Sequence, residues 1–139
     1  MLRGDHQPGG GRITSDQTRL PLDLPKFSQV DLSRNLLNNI PKEALTDCSY
    51  LMVLNLRGNP IRQVPGDAFL KLQELQTLDL AECQISSIQP DALLPLHNLV
   101  WLKLENNLLI HLDPSSGFPN SELSFCYNLA SLTIEPLGE

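Results

Sequence analysis

Residues 51–74 read LMVLNLRGNPIRQVPGDAFLKLQE and residues 75–98 read LQTLDLAECQISSIQPDALLPLHN. Written one above the other, they carry apolar residues in the same columns, at unit positions 1, 4, 6, 11, 14, 19 and 22. The pattern extends back to Phe27 and forward to Leu99, so that four units start 24 residues apart. Such internal repetition predicts an architecture of stacked coils, one coil for each unit.

Unit positions 3 to 7 alternate in the way that a short β-strand does. In the second unit Leu54 and Leu56 are predicted to point into the core. The intervening Val53, Asn55 and Arg57 are predicted to point outward. Because one coil cannot bury its own leucines, neighbouring coils must bury one another's. The pattern therefore predicts a parallel sheet with one strand from each coil.

Position 9 follows the strand and is asparagine in three of the four units. An asparagine amide at this turn can bond backbone groups of adjacent coils that would otherwise be buried without partners. The cysteine in the third unit is small enough to fit but is a weaker donor, so we expect weaker hydrogen bonds between coils at this position. The predicted ladder consists of Asn35, Asn59, Cys83 and Asn107.

These columns resemble the leucine-rich-repeat family, whose consensus is L-x-x-L-x-L-x-x-N-x-L followed by a variable half. The 24-residue period is similar to the variety common in the ectodomains of Toll-like receptors, small leucine-rich proteoglycans and neuronal adhesion proteins. Further matching pairs are Ile40-Pro41, Val64-Pro65, Ala44-Leu45 and Ala68-Phe69. The resemblance covers residues 20–139 and implies an α/β solenoid, with a short parallel sheet on the concave face and loops or short helical turns on the convex face.

We predict a flexible N-terminal tail at residues 1–19 and a repeat domain at residues 20–139. After the units that start near residues 27, 51, 75 and 99, an L-x-x-L-x-I pattern returns from Leu129 to Ile134. A partial fifth unit is therefore predicted to start near residue 129. The interval from Leu99 exceeds the period by six residues, which we place on the convex side, where longer loops cost little.

The two ends lack the cysteine-rich caps that extracellular members of the family normally carry. Exposed leucine edges would then favour self-association, or the chain would be a truncated piece without independent function. No apolar segment has the length of a membrane span, and no signal peptide is recognisable, so we expect no direct membrane insertion by this chain. Two localisations stay open: the extracellular space or cell surface as part of a longer chain, and the cytoplasm.

The composition argues against several classes of function. The net charge is −6 and the last basic residue is Lys103, so no basic face for nucleic acid is expected. No catalytic, phosphate-binding or metal-ligand spacing is present, and we expect neither an enzyme nor a cofactor. A disulfide between Cys48 and Cys126 would cross about three coils, so these residues and Cys83 are expected to be buried thiols.

The outward side chains of successive strands are predicted to form one contiguous surface, because neighbouring strands lie about 4.8 Å apart. Trp101 is the only tryptophan, and outward tryptophans are enriched among binding hot spots. The alternative is that Trp101 packs beneath the convex insertion or is simply tolerated at the surface. The predicted binding residues are Trp101, Val53, Thr77, Asn55, Asp79, Lys103, Arg57, Glu105 and Asp31.

The leading hypothesis is a non-enzymatic module that binds a protein or peptide ligand through this concave sheet. The charged residues of the surface would set orientation and specificity more than affinity. The rival hypotheses are an intracellular leucine-rich-repeat scaffold or adaptor and a truncated fragment.

Overall fold

The computed structural model describes residues 24–89 and 91–109, together with the backbone of four two-residue strands outside these ranges. In chain order the strands are β1 (Leu2–Arg3), β2 (Gln29–Asp31), β3 (Val53–Asn55), β4 (Gln63–Val64), β5 (Thr77–Asp79), β6 (Ser87–Ile88), β7 (Trp101–Lys103), β8 (His111–Leu112), β9 (Ser124–Phe125) and β10 (Thr133–Ile134). Within the described part of the chain, a 3-10 turn (Leu24–Lys26) and a short helix α1 (Lys42–Leu45) complete the elements.

The principal sheet is parallel and takes one strand from each of the four described coils, with β1 and β9 added at its two edges. Among the residues that the structure describes, its six strands lie in the order β1-β2-β3-β5-β7-β9. The register joins residues 24 apart, so that Leu54 lies opposite Val30 on one side and Leu78 on the other. Leu102 continues the same row beyond Leu78. This stacking confirms the α/β solenoid that the repeat predicts.

The core is built from the inward columns of the repeat. Leu54, Leu56, Leu78 and Leu80 have no measurable exposure to solvent. Each leucine is covered by its counterparts in the coils before and after it, and burial of one such side chain is worth about 1.5–3 kcal/mol. The stability of each coil therefore depends on its neighbours, as in other repeat proteins.

In its described portions, the opposite arm of the coils carries two further parallel pairs, which the sequence did not reveal. β4 pairs with β6, and β8 pairs with β10. In the sequence this arm shows little more than the apolar column that contains Val64 and Ile88. Two-residue strands are too short to give an alternation that can be recognised from the sequence.

Each coil leaves the principal sheet through a residue with left-handed backbone. Position 8 has a φ of 56° at Arg34, 76° at Gly58, 53° at Glu82 and 60° at Asn106. Glycine and asparagine adopt this conformation readily, whereas arginine and glutamate pay a steric penalty. The turn is nevertheless the same in all four coils, and it directs the next side chain, at position 9, into the interior.

The position-9 side chains bond backbone groups of two coils at once. Asn59 accepts hydrogen bonds from the N–H groups of Asn35 and Leu37 at 3.2 and 3.1 Å. Its amide donates to the carbonyls of Leu32 and Leu56 at 3.0 and 2.9 Å. One amide thus satisfies four backbone groups that the coil would otherwise bury without partners.

Cys83 takes the same place in the third coil with weaker contacts. Its thiol lies 3.4 Å from the carbonyl of Leu56 and 3.5 Å from that of Ala81. In the next coil Asn107 donates to the carbonyls of Leu80 and Leu104 at 2.8 and 3.0 Å, which are ordinary amide distances.

The region after β7 differs from the predicted fifth unit. The strand beside β7 is β9, in which Phe125 lies opposite Leu102. These two residues are 23 apart in the chain, close to the 24-residue period, so the predicted insertion of six residues between the two strands is not needed. Thr133 and Ile134, which the L-x-x-L-x-I pattern had placed in the principal sheet, form β10 and pair with β8 instead. Apolar spacing alone does not distinguish the two arms, because both present inward side chains. The predicted start near residue 129 lies outside the described residues.

The N-terminal tail also differs from the prediction at two positions. Leu2 and Arg3 form β1, parallel to β2, with Leu2 opposite Val30 and Arg3 opposite Asp31. Without β1, the backbone N–H and C=O groups along this edge of β2 would have no strand to pair with, and an edge of that kind readily takes an added strand. Met1 and residues 4–23, which include the rest of the predicted tail, lie outside the described residues.

Candidate functional site

The side chains at unit positions 3, 5 and 7 stand on the side of the principal sheet that faces away from the core. We call this surface the outward sheet face. In the four described coils it consists of Gln29, Asp31, Ser33, Val53, Asn55, Arg57, Thr77, Asp79, Ala81, Trp101, Lys103 and Glu105. The structure thus brings all nine residues of the predicted binding surface onto one face.

The position-3 row places Trp101 beside two smaller side chains. In register, Trp101 lies opposite Thr77, and Thr77 lies opposite Val53. Trp101 is 44% exposed, and the other two side chains are partly exposed. Met52 and Val100 are also exposed and immediately precede the strands of this row. The start of the strands therefore presents exposed apolar side chains in the second and fourth coils, with the polar Gln76 and Thr77 of the third coil between them.

The position-5 residues have a structural role that the sequence did not reveal. A carboxylate oxygen of Asp31 accepts the N–H of Ser33 at 2.9 Å, and one of Asp79 accepts that of Ala81 at 3.0 Å. Asn55 does the same for Arg57. These contacts are Asx-type turns, which support the chain as it leaves the strand.

Burial separates two of the predicted binding residues from the rest of the set. Asp31 and Asp79 are each only 8% exposed, so they are not the free surface charges that the alternation of the strand predicts. The recurrence of Asp or Asn in this column was the available signal for a turn. Lys103, in the fourth coil, is partly exposed and lies opposite Asp79 in the sheet register.

Arg57 joins three carboxylates from the two coils that follow it. Its Nε donates to Glu82 at 2.5 Å, and its Nη1 lies 3.3 Å from both Asp79 and Glu105. Arg34, in the first coil, adds a longer contact of 3.6 Å to Glu82. We call these five residues the Arg57 cluster. It ties together all four described coils at the end of the strands.

The charges of the cluster stabilise one another. Partial burial opposes the charged form of Arg57, but the hydrogen bond to Glu82 and the nearby charge of Asp79 outweigh it and raise the pKa of the guanidinium. The hydrogen bond from Arg57 lowers the pKa of Glu82. Within the described part of the chain, the second carboxylate oxygen of Glu105 is buried and has no hydrogen-bond partner. The cluster therefore holds more acceptor capacity than its donors satisfy.

Two members of the cluster were absent from the predicted binding set. Arg34 and Glu82 occupy position 8, one residue past the outward positions of the strand. A strand alternation would point these side chains inward. The left-handed turn breaks that alternation and brings them to the same side as Arg57.

The buried cysteines are suited to packing rather than chemistry. Cys48 and Cys83 are unpaired and buried, as the sequence predicts. Burial raises the pKa of both thiols, that of Cys83 to about 11, so they stay protonated and weakly nucleophilic at neutral pH. Cys126 lies outside the described residues. Among residues 24–89 and 91–109, no group of three His, Cys, Asp or Glu side chains could hold a metal ion.

Parallel strands stacked in register at 24-residue intervals define the chain as a repeat solenoid. A leucine rich repeat family model matches it three times, at residues 25–85, 49–109 and 73–125, which together span well over half of the 139 residues. The chain belongs to the leucine-rich-repeat family. Domains of this family generally mediate binding to other proteins and are typically non-enzymatic.

Comparison with curated proteins gives no match. In the part of the chain that the structure describes, no helix has both the length and the apolar character needed to cross a membrane.

Proposed function

We propose that this chain is a non-enzymatic binding module that recognises a folded protein or a peptide through its outward sheet face, as cell-surface and matrix receptors do. The observation that carries the proposal is Trp101, which is 44% exposed at the start of a strand that is itself fixed in the sheet. Covering such a side chain releases water from a large apolar area, and tryptophan is accordingly among the commonest hot-spot residues.

The rigidity of the surface supports the same function. The outward side chains rise from strands paired on both sides, and the position-9 amides fix the turns that follow. A preformed surface orders few side chains when it binds, so less of the interaction free energy is lost. The open face also gives little of the enclosure that catalytic and small-molecule sites require.

The similarity of the 24-residue unit to those of extracellular receptors and matrix proteins supports a location outside the cell or at its surface. The unpaired thiols of Cys48 and Cys83 favour a second candidate, an intracellular scaffold, since reduced cysteines are typical of the cytoplasm. Locating the epitope-tagged endogenous protein with and without permeabilisation of the cells separates the two.

The binding role of the face is tested by screening the full chain against a panel of purified ectodomains and cytoplasmic domains by biolayer interferometry. For any partner found, Trp101→Ala is expected to weaken binding at least about fivefold, which is a loss of about 1 kcal/mol, because the apolar contact is removed.

The matched control is Leu94→Ala, which shortens a comparably exposed apolar side chain outside the outward sheet face. It should leave the affinity unchanged. If instead Leu94→Ala weakens binding and Trp101→Ala does not, the partner docks elsewhere and the proposal is wrong.

A further inference from the structure

The exposed apolar side chains at the start of the strands form two separate groups. Met52 and Val53, in the second coil, are exposed and partly exposed, and we call them the second-coil patch. Val100 and Trp101, in the fourth coil, are both exposed, and we call them the fourth-coil patch. A partner that covers both patches must therefore carry two apolar groups rather than one.

Backbone hydrogen bonds fix the separation of the two patches. The carbonyl of Met52 accepts the N–H groups of Gln76 and Thr77 at 2.8 and 3.0 Å. The carbonyl of Gln76 accepts those of Val100 and Trp101 at the same two distances. The patches thus lie two strand spacings apart, which is roughly 10 Å, with the polar third coil between them.

The far end of the strands offers little to a ligand. Arg57 reaches over the third coil to Glu105 at 3.3 Å, and Ala81, which lies between them in the position-7 row, has no measurable exposure. Asp79 is 8% exposed, and its two oxygens accept the N–H of Ala81 and a contact from Arg57. The carboxylates at this end are therefore buried or already held by guanidinium groups.

Lys103 is the charged group that the middle of the face presents. It is partly exposed, lies two residues from Trp101 on the same side of β7, and has no ion pair within the described residues. Its neighbour in the sheet register, Asp79, is held by Arg57. Two residues along a strand span roughly 6.6 Å, so one segment of a partner can place an apolar group on Trp101 and a carboxylate on Lys103.

We infer, resting on the proposed function, that the partner presents an acidic amphipathic helix, which lies across the strands of this face. Residues i and i+7 of an α-helix stand on the same side about 10.5 Å apart, which matches the separation of the two patches. Residues three apart in an extended segment are also about 10 Å apart, but they point to opposite sides. A helix therefore fits both patches, and an extended segment does not.

Each part of the helix has a defined place. One apolar side chain covers the second-coil patch, the other covers the fourth-coil patch, and a polar or small residue between them meets the third coil. A glutamate or aspartate beside the second apolar residue meets Lys103. The apolar contacts supply most of the affinity, and the ion pair sets the direction in which the helix crosses the sheet.

The test is selection of helical peptides with randomised surface positions, displayed on phage, against the immobilised full-length chain. Fluorescence anisotropy then measures the affinity of the enriched peptides. We expect large apolar residues at i and i+7 and an acidic residue beside one of them. Met52→Ala should weaken these peptides at least about threefold and Trp101→Ala at least about fivefold, because each removes one apolar contact.

Lys103→Gln should weaken the peptides by roughly two- to fivefold at low salt, and the effect should shrink as salt is added. The matched control is Lys71→Gln, which changes the net charge equally at an exposed position outside the outward sheet face. It should leave peptide binding unchanged. Replacing the acidic residue of the peptide by glutamine should abolish the difference between the wild type and Lys103→Gln, because the interacting pair is then already lost.

A change in the peptide tests the spacing of the two patches. One residue inserted between the two apolar positions rotates the second by about 100° around the helix. The affinity should then fall to that of a peptide with a single apolar residue. Thermal unfolding of each protein variant verifies that it is folded.

The outcomes separate this inference from the proposed function. Peptides that need Trp101 but tolerate Met52→Ala, the inserted residue or Lys103→Gln overturn the acidic helix and leave the binding face intact. Peptides that bind Trp101→Ala as tightly as the wild type, or a selection that yields no binder, contradict the proposed function and this inference with it.

Discussion

Position 9 shows how much a single side chain contributes to the stacking of coils. Asn59 and Asn107 bond carbonyls of two coils at 2.8–3.0 Å, whereas Cys83 does so at 3.4–3.5 Å through a thiol. A thiol is a weak donor and a weak acceptor, so it cannot replace the two N–H donors and the carbonyl of an amide. The third coil therefore has the weakest link in the described ladder.

Cys83→Asn is expected to stabilise the protein by about 0.5–1.5 kcal/mol, because an amide would restore the missing hydrogen bonds at little change in volume. Urea denaturation monitored by circular dichroism measures the change in the free energy of unfolding. Cys83→Ala serves as the control, since it removes the thiol without adding an amide, and it should not stabilise. A Cys83→Asn variant less stable than the wild type would show that this turn does not accommodate the amide.

At the scale of elements, the ends of the strands are held by charge as well as by backbone hydrogen bonds. The Arg57 cluster crosses from the second coil to the third and fourth, and Arg34 extends it to the first. Because its members lie near the surface, the contribution of the cluster depends on pH and salt.

Glu82 gives this dependence a definite sign. The hydrogen bond from Arg57 lowers its pKa in the folded protein, below the ordinary value of 4.5. Its stabilising contribution is therefore fully present above pH 4.5 and is lost as the pH falls through the lower, folded-state pKa. We expect the melting temperature at low salt to fall less steeply below pH 4.5 in Glu82→Gln than in the wild type.

Glu74→Gln is the control for this pH experiment and should follow the wild-type curve. At high salt, screening should bring the Glu82→Gln curve closer to the wild-type curve. Parallel curves for Glu82→Gln and the wild type across the acidic range would mean that this ion pair contributes nothing to stability.

For the whole molecule, the repeat implies that one complete 24-residue unit can be deleted without disturbing how the remaining coils stack. Deleting residues 75–98 joins the second coil to the fourth in register, so the shortened chain should still fold. Its melting temperature should drop by roughly 10 °C or more, because fewer coils bury one another. Circular dichroism and thermal unfolding measure both effects.

Deleting only residues 75–86 provides the matched control, because half a period places outward side chains against the core. This variant should not fold cooperatively. If both deletions behave alike, the coils are not the independent units that the register indicates.

The fold was predictable from the sequence because the residues at a given unit position have the same environment, buried or exposed, in every coil. The inward leucines recur at fixed spacing, so the sheet and its register followed from them. The Arg57 cluster did not, because it depends on side chains from four coils and on a turn that moves Glu82 to the outward side. The strand at Ser124–Phe125 was missed because the apolar spacing there fits either arm.

The left-handed turn at position 8 has one further consequence. Arginine, glycine, glutamate and asparagine occupy this corner in successive coils, and the backbone path is the same in all four. Exchange of the residue there can invert the local charge without rerouting the chain. Divergence among related solenoids can thus alter what such a surface attracts while the scaffold beneath stays constant.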